Sequence, residues 1–229
     1  MFIDTRKIIM TIKKISTSII QDITENVTSD MSEHDKDEMA IPSYLHKNPL
    51  IPWLMWKRYE TISELIDHNG EQVLEFGCGL GLFLNELSTK YTKLYAIDLF
   101  PKFAIALTKK IDINVQFIND VSDLEDNSLD TIVAADVLEH IEDLKSIIIP
   151  FHNKLKPSGR LIVSGPTESI IYKLGRIVAG FGDKGDYHHT NIDKLIAGIT
   201  ENGFRLISVK RLPYPFLPAL FKICLFEKV

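Results

Sequence analysis

A chain of 229 residues, 45% hydrophobic and 25% charged, has enough apolar residues to bury a full core and reads as one domain with a short extension. Its net charge of −5 argues against broad nucleic-acid binding through the domain as a whole, though not against a local basic patch. Cys78 and Cys224 lie far apart without paired metal spacing, which points to a reduced, intracellular setting. No run approaches the roughly twenty apolar residues of a membrane span, and charges interrupt the N-terminal apolar residues where a signal peptide needs a compact core. A cytoplasmic protein is expected.

Residues 1–48 differ in character from the rest. Ile8, Ile12, Ile15, Ile19 and Ile23 recur at intervals of three and four, predicting one apolar face of a helix, and 31–39 is an acidic linker. The stripe is expected to pack, on the domain or on a second subunit; lying on a membrane surface with Arg6, Lys7, Lys13 and Lys14 near head groups is the alternative. From 49 onward a single domain runs to 229. It opens with NPLIPWLMWKRYETISELI, a helix carrying Trp56, Tyr59, Ile62 and Ile66, with Trp53 or Trp56 placed to cap a pocket.

VLEFGCGLG, from Val73 to Gly81, is a buried strand with one acid followed by a glycine turn, and Leu82, Phe83, Leu84 and Leu87 then begin a helix. Strand, glycine turn and helix also hold pyrophosphate in dinucleotide sites. Here the glycines fall as GxGxG, with Leu82 where the dinucleotide fingerprint needs its last glycine, and Glu75 would repel a pyrophosphate. A carboxylate there favours a ligand with ammonium or sulfonium charge, and S-adenosylmethionine carries both. Asp98, about twenty residues beyond the turn, stands where an acid accepts from ribose hydroxyls.

Strands and helices then alternate. KLYAID precedes a helix begun by Pro101, NVQFIND and SLDTIVAAD follow, then a helix through Leu155, a turn at Lys156–Gly159, and the strand RLIVSGP. A Gly-rich insertion over 166–190 leads to a helix from Asn191 to Asn202. FRLISVKRL and LFKICLFEKV, joined by PYPFLP, read as a hairpin that makes the last strand antiparallel. The predicted fold is α/β, a mostly parallel seven-stranded sheet covered by helices on both faces.

These elements together resemble the class I S-adenosylmethionine-dependent methyltransferases, in particular the group containing the ubiquinone and menaquinone biosynthesis enzymes. The resemblance covers about 50–229 and rests on VLEFGCGLG, AID, SLDTIVAADVLEHIED and LKPSGRLIVSGP in that order. It implies that Gly77 and Gly79 approach the methionine portion with Glu75 at its polar end. It also implies that Asp98 binds ribose, Leu99 lies against adenine, and Asp120 and Val121 contact the adenine edge. With Cys78 in the turn and Asp136 at the fourth strand end, these form the expected cofactor set.

If Val137 begins a helix, Asp136, Glu139 and His140 come toward one face, where two carboxylates and an imidazole could bind a divalent ion. The quinone O-methyltransferases that DVLEH resembles use such a group for magnesium. A helix-start and pocket-shaping role is favoured over a metal. In GDYHHTNI, His188 and His189 are the candidate base for methylating an oxygen. Their structural alternative is that Tyr187 and His188 tie down the insertion while His189 or Thr190 caps the next helix. The expected acceptor is a small or lipid-linked molecule. An RNA or protein acceptor, or a non-catalytic cofactor-binding protein, are the rival readings, and the acidic balance and the absence of an NPPY-type tetrapeptide weigh against the first.

Overall fold

The computed structural model describes residues 12–27, 41–66, 70–167 and 190–229. Its sheet follows from alternation along β1 (Gly70–Phe76), in which Val73 and Leu74 point to opposite faces and each enters a different apolar layer. β2 (Tyr91–Ile97), β3 (Gln116–Phe117), β4 (Leu129–Ala135), β5 (Leu155–Pro166), β6 (Phe204–Leu212) and β7 (Phe221–Lys228) complete it in the order β3-β2-β1-β4-β5-β7-β6. β1 to β5 pair in parallel, while β7 runs antiparallel to both β5 and β6. The predicted α/β sheet with an antiparallel last strand is therefore the fold observed.

One face of the sheet, with Val73, Ala96, Val133, Ile162 and Ile223, is covered by α1 (Thr17–Val27), α2 (Leu50–Leu65) and α3 (Lys102–Lys110). The other, with Leu74, Ile132, Leu161, Val163 and Phe226, is covered by α4 (Leu144–Lys154) and α5 (Ile192–Glu201). Helices on both faces bury a parallel sheet completely, which is why its central strands are almost uninterrupted runs of apolar residues.

Several local expectations change. After the glycine turn there is only one helical turn, Leu84–Leu87. The Ser88 and Thr89 hydroxyls bond back to the Asn85 and Glu86 carbonyls and compete with helix continuation. The turn expected at Lys156–Gly159 is a kink inside β5, with Ser158 at φ 60° and a register break opposite Leu129 to Thr131. α5 is capped by Asn191, whose Oδ1 accepts from the Asp193 and Lys194 amides at 3.1 Å, so neither His189 nor Thr190 is its cap.

The N-terminal stripe packs on the domain, but not as one helical face. Ile12 and Ile15 are buried ahead of the helix, which starts at Thr17 beside Ser16, and Ile20 and Ile23 form its inner side while Ile19 is only partly covered. The Asn85 amide donates to the Lys13 carbonyl at 3.0 Å and Lys110 pairs with Asp22, tying the segment to the sheet's helical layer. Ile8 and the acidic stretch 31–39 lie outside the described residues. Ile20→Ala should destabilise the protein by about 2–5 kcal/mol, and Ile19→Ala by markedly less; urea unfolding of the two variants measures the difference.

Candidate active site

β2 and β3 lie on one side of β1 and β4 and β5 on the other, so a crevice opens at the carboxyl ends of β1 and β4 where the connections diverge. The glycine turn fills the mouth of this crevice. The Gly77 and Cys78 amides both donate to the Ile97 carbonyl, at 2.9 and 3.2 Å, which stitches the turn to the end of β2. Gly77 sits at φ 73°, and a Cβ there would lie 2.5 Å from Val137 Cγ2. Gly79, at φ 53°, has nothing within 4 Å of the same position, so its α-carbon faces open space.

Asp98 closes the turn from the other side. Its Oδ2 accepts from the Gly79 amide at 2.7 Å and its Oδ1 from the Phe100 amide at 2.8 Å, so the carboxylate is held before any ligand arrives. Leu99, beside it, is 91% exposed. At the end of β3, Asp120 Oδ1 accepts from the Ser122 amide at 2.7 Å and caps the 3-10 turn Val121–Asp123, with Val121 buried. The hydrogen bonds from Ser122 hold the Asp120 carboxyl below its usual range.

Glu75, one register position before the strand end, is 1% exposed, and its Oε2 has no hydrogen-bond partner among the described residues. Burial, and then the charge of Asp98, push its carboxyl well above the ordinary carboxylate range. A ligand with a positive centre would reverse that cost.

The structure also assembles a cluster that local sequence reading missed. Arg58, on α2 and 4% exposed, pairs with Asp136 at the end of β4 and donates to the Tyr44 hydroxyl at 3.3 Å. Its guanidinium lies 5.2 Å from the Tyr59 ring centre and 5.7 Å from that of Phe221. Asp136, at φ 53°, accepts also from Ser164 Oγ, and its amide donates to the Ser164 carbonyl at 3.0 Å. Arg58 falls on the same helical stripe as Met55, Tyr59 and Ile62, and a basic residue in a buried stripe is the signal that would have singled it out.

The expected helix from Val137 is a single 3-10 turn, Leu138–His140, because Asp136 enters it in the left-handed region. The three metal candidates are thereby separated. Asp136 is engaged by a guanidinium, Glu139 is buried and His140 is exposed, and among the described residues no group of three or more His, Cys, Asp or Glu could hold a metal ion. In this arrangement the three do not come together as a metal-binding group. Trp56 turns inward against Tyr44 and Tyr59, while Trp53 stays at the rim beside Tyr214. His188 and His189 lie outside the described residues.

Residues 53–209 match the family described as methyltransferase domain, and the chain belongs to that family. It is an S-adenosylmethionine-dependent methyltransferase. Among its relatives, the ubiquinone biosynthesis O-methyltransferase of Xanthomonas euvesicatoria pv. vesicatoria (strain 85-10) is 28% identical over 172 residues, 69% of this chain and 72% of that one. The protein of the same name from Xylella fastidiosa (strain M23) is 32% identical over 114 residues, 47% of this chain and 46% of that one. The fold is shared with the N-methyltransferase NodS from Bradyrhizobium japonicum WM9 in complex with S-adenosyl-L-homocysteine, at TM-score 0.60 and 18% identity over 92% of this chain and 98% of that one. It is shared too with magnesium protoporphyrin IX methyltransferase from Synechocystis PCC 6803 with bound S-adenosylhomocysteine, at TM-score 0.61 and 16% identity over 91% and 94%.

A carboxyl raised by folding supports stability below its unfolded value and loses that support as pH climbs through its folded one. Glu75 therefore weakens the ligand-free protein as pH rises from mildly acidic to neutral and above. Glu75→Gln should flatten that decline and melt higher than the parent at the alkaline end, yet bind S-adenosylmethionine about tenfold or more weaker for loss of a charged partner. Thermal melting across pH, with and without the donor, reads both effects.

Proposed function

We propose that the protein transfers the methyl group of S-adenosylmethionine to an oxygen of a small-molecule or lipid-linked acceptor, of which a quinol or phenol ring is the class to test first. The observation that carries the donor half is the juxtaposition of the open Gly79 backbone, buried Glu75 and pre-held Asp98 at one sheet edge. The acceptor class is supported by the ubiquinone biosynthesis O-methyltransferases among its relatives.

In this reading Gly79 admits the methionine portion without a side chain in the way, Gly77 and Cys78 shape the same turn, and Glu75 answers its ammonium and sulfonium charges. Asp98 uses its remaining lone pairs for the ribose hydroxyls, Leu99 covers the adenine, and Asp120 with the Val121 backbone meets the adenine edge. Asp136 acts indirectly: held by Arg58 and Ser164, it fixes the turn at Val137 that bounds the pocket. The reaction needs alignment more than covalent help. As the acceptor oxygen forms its bond to the methyl carbon, the carbon–sulfur electron pair returns to sulfur and neutralises the sulfonium, and the acceptor proton leaves to a base. We assign that base to His188 or His189. No step passes through a metal.

Calorimetry should show binding of S-adenosylmethionine and S-adenosylhomocysteine but not NAD, and Asp98→Ala should weaken it by about 1–3 kcal/mol. Absence of heat with both ligands defeats the donor site. Turnover on a panel of quinols and phenols, followed by mass spectrometry of the methylated product, should persist in EDTA. A chelated enzyme that recovers only with magnesium would reinstate Asp136, Glu139 and His140 as metal ligands.

His188→Gln and His189→Gln should be compared for turnover and for donor affinity. The variant that removes the base should lose about 100-fold to 10,000-fold in rate with donor affinity nearly unchanged. Normal turnover in both places the base elsewhere in the pocket.

A further inference from the structure

β5 ends at Pro166 opposite Phe221 of β7, which in turn faces Leu212 of β6, so the 213–220 connection lies at the same sheet edge as Gly77, Asp98 and Asp136. There Tyr214 stacks on Phe216 with ring centres 5.5 Å apart and meets Trp53 of α2 at 6.1 Å. Phe216 is 82% exposed, Leu50 is 67% exposed, and Leu217 is likewise open to solvent. Scattered apolar residues on a surface need no explanation, but these are contiguous through two aromatic contacts and border the site.

Their charge setting is one-sided. The chain has 31 acidic residues against 26 basic ones, yet positions 41–59 and 204–226, which meet at Trp53 and Tyr214, contain no Asp or Glu. They do contain the exposed Lys47, Lys210 and Arg211. Asp193 approaches this region from α5 and is paired with Lys222 at 2.5 Å.

We infer that this rim seats the protein on the surface of an anionic lipid bilayer, with Phe216, Leu217 and Leu50 entering the acyl boundary, Trp53 and Tyr214 at head-group level, and Lys47, Lys210 and Arg211 against the lipid phosphates. Aromatic rings with a polar end favour that interface, exposed aliphatic and phenyl groups supply the buried area, and basic residues add the attraction to anionic lipid. The surface is separate from the N-terminal segment, where Ile12, Ile15, Ile20 and Ile23 are buried on the domain. The inference stands apart from the choice of acceptor, since binding can be read without turnover.

The test is flotation of the full chain with vesicles of phosphatidylcholine alone or mixed with phosphatidylglycerol. Binding to the mixed vesicles is expected, weakening with added salt. The double variant Phe216→Ser/Leu217→Ser and the charge reversal Lys210→Glu/Arg211→Glu should each reduce it by about tenfold or more, with melting temperature and donor binding unchanged. Because the chain has two tryptophans, Trp56→Phe leaves Trp53 as a local reporter, and its emission should shift to the blue on binding. Failure to float with anionic vesicles, or binding indifferent to both variants, overturns the inference. So does a lower association state of the Phe216→Ser/Leu217→Ser variant in sedimentation without vesicles, which would assign the patch to a second copy of the chain.

Discussion

Arg58 reaches from the buried side of α2 to Asp136 at the end of β4, and the geometry of the ligand edge hangs on that ion pair. A guanidinium stripped of water is tolerable only with a carboxylate and further acceptors around it, and here Asp136, the Tyr44 hydroxyl and two aromatic faces provide them. Burial, and then Tyr59, push the Tyr44 hydroxyl well above its ordinary value, keeping it a neutral acceptor for Arg58. Removing one partner from such a pair typically costs about 3–5 kcal/mol, so helix, strand end and the turn before Leu138 are locked in one arrangement. Asp136 can therefore hold a left-handed backbone conformation that a non-glycine residue adopts only under constraint.

The same edge is divided electrically. Toward β1, β2 and β3 stand Glu75, Asp98 and Asp120, each with a different environment: buried and protonation-prone, backbone-held, and capped in solvent. Toward the 213–220 connection between β6 and β7, bases and aromatic rings take over, and Asp193 is paired there with Lys222. A cationic donor and an apolar acceptor approaching from opposite ends would each meet the half that suits it. Fields of this kind orient ligands before contact, which matters for a displacement that tolerates little angular error.

How much of this was legible in the sequence depended on the range of the interaction. The sheet was readable because apolar runs and turn residues are local signals, and the PYPFLP hairpin correctly made β7 antiparallel. Glycines at positive φ and acids at the ends of β2, β3 and β4 were also readable, since Asp98 and Asp136 follow their strands directly and Asp120 comes three positions after β3. The pairing of Arg58 with Asp136 spans 78 positions and leaves no local trace beyond a charge in an apolar stripe. The helix at Val137 failed for the same reason, because a distant guanidinium and Ser164 set the backbone at Asp136. At Ile19 and Ile20, two adjacent identical side chains let the periodicity fit either phase, and only packing against the domain chose Ile20.

The cysteine inside the glycine turn has a consequence for the enzyme's own chemical survival. A sulfonium methyl is an electrophile, and a thiolate is a better nucleophile for it than most acceptors. Cys78 is buried, and burial, followed by the charges of Glu75 and Asp98, pushes its thiol well above the ordinary value. The thiol thus remains protonated and shielded. In the proposed reading, the acids that would meet the donor's positive charge also hold the neighbouring thiol protonated, which disfavours self-alkylation.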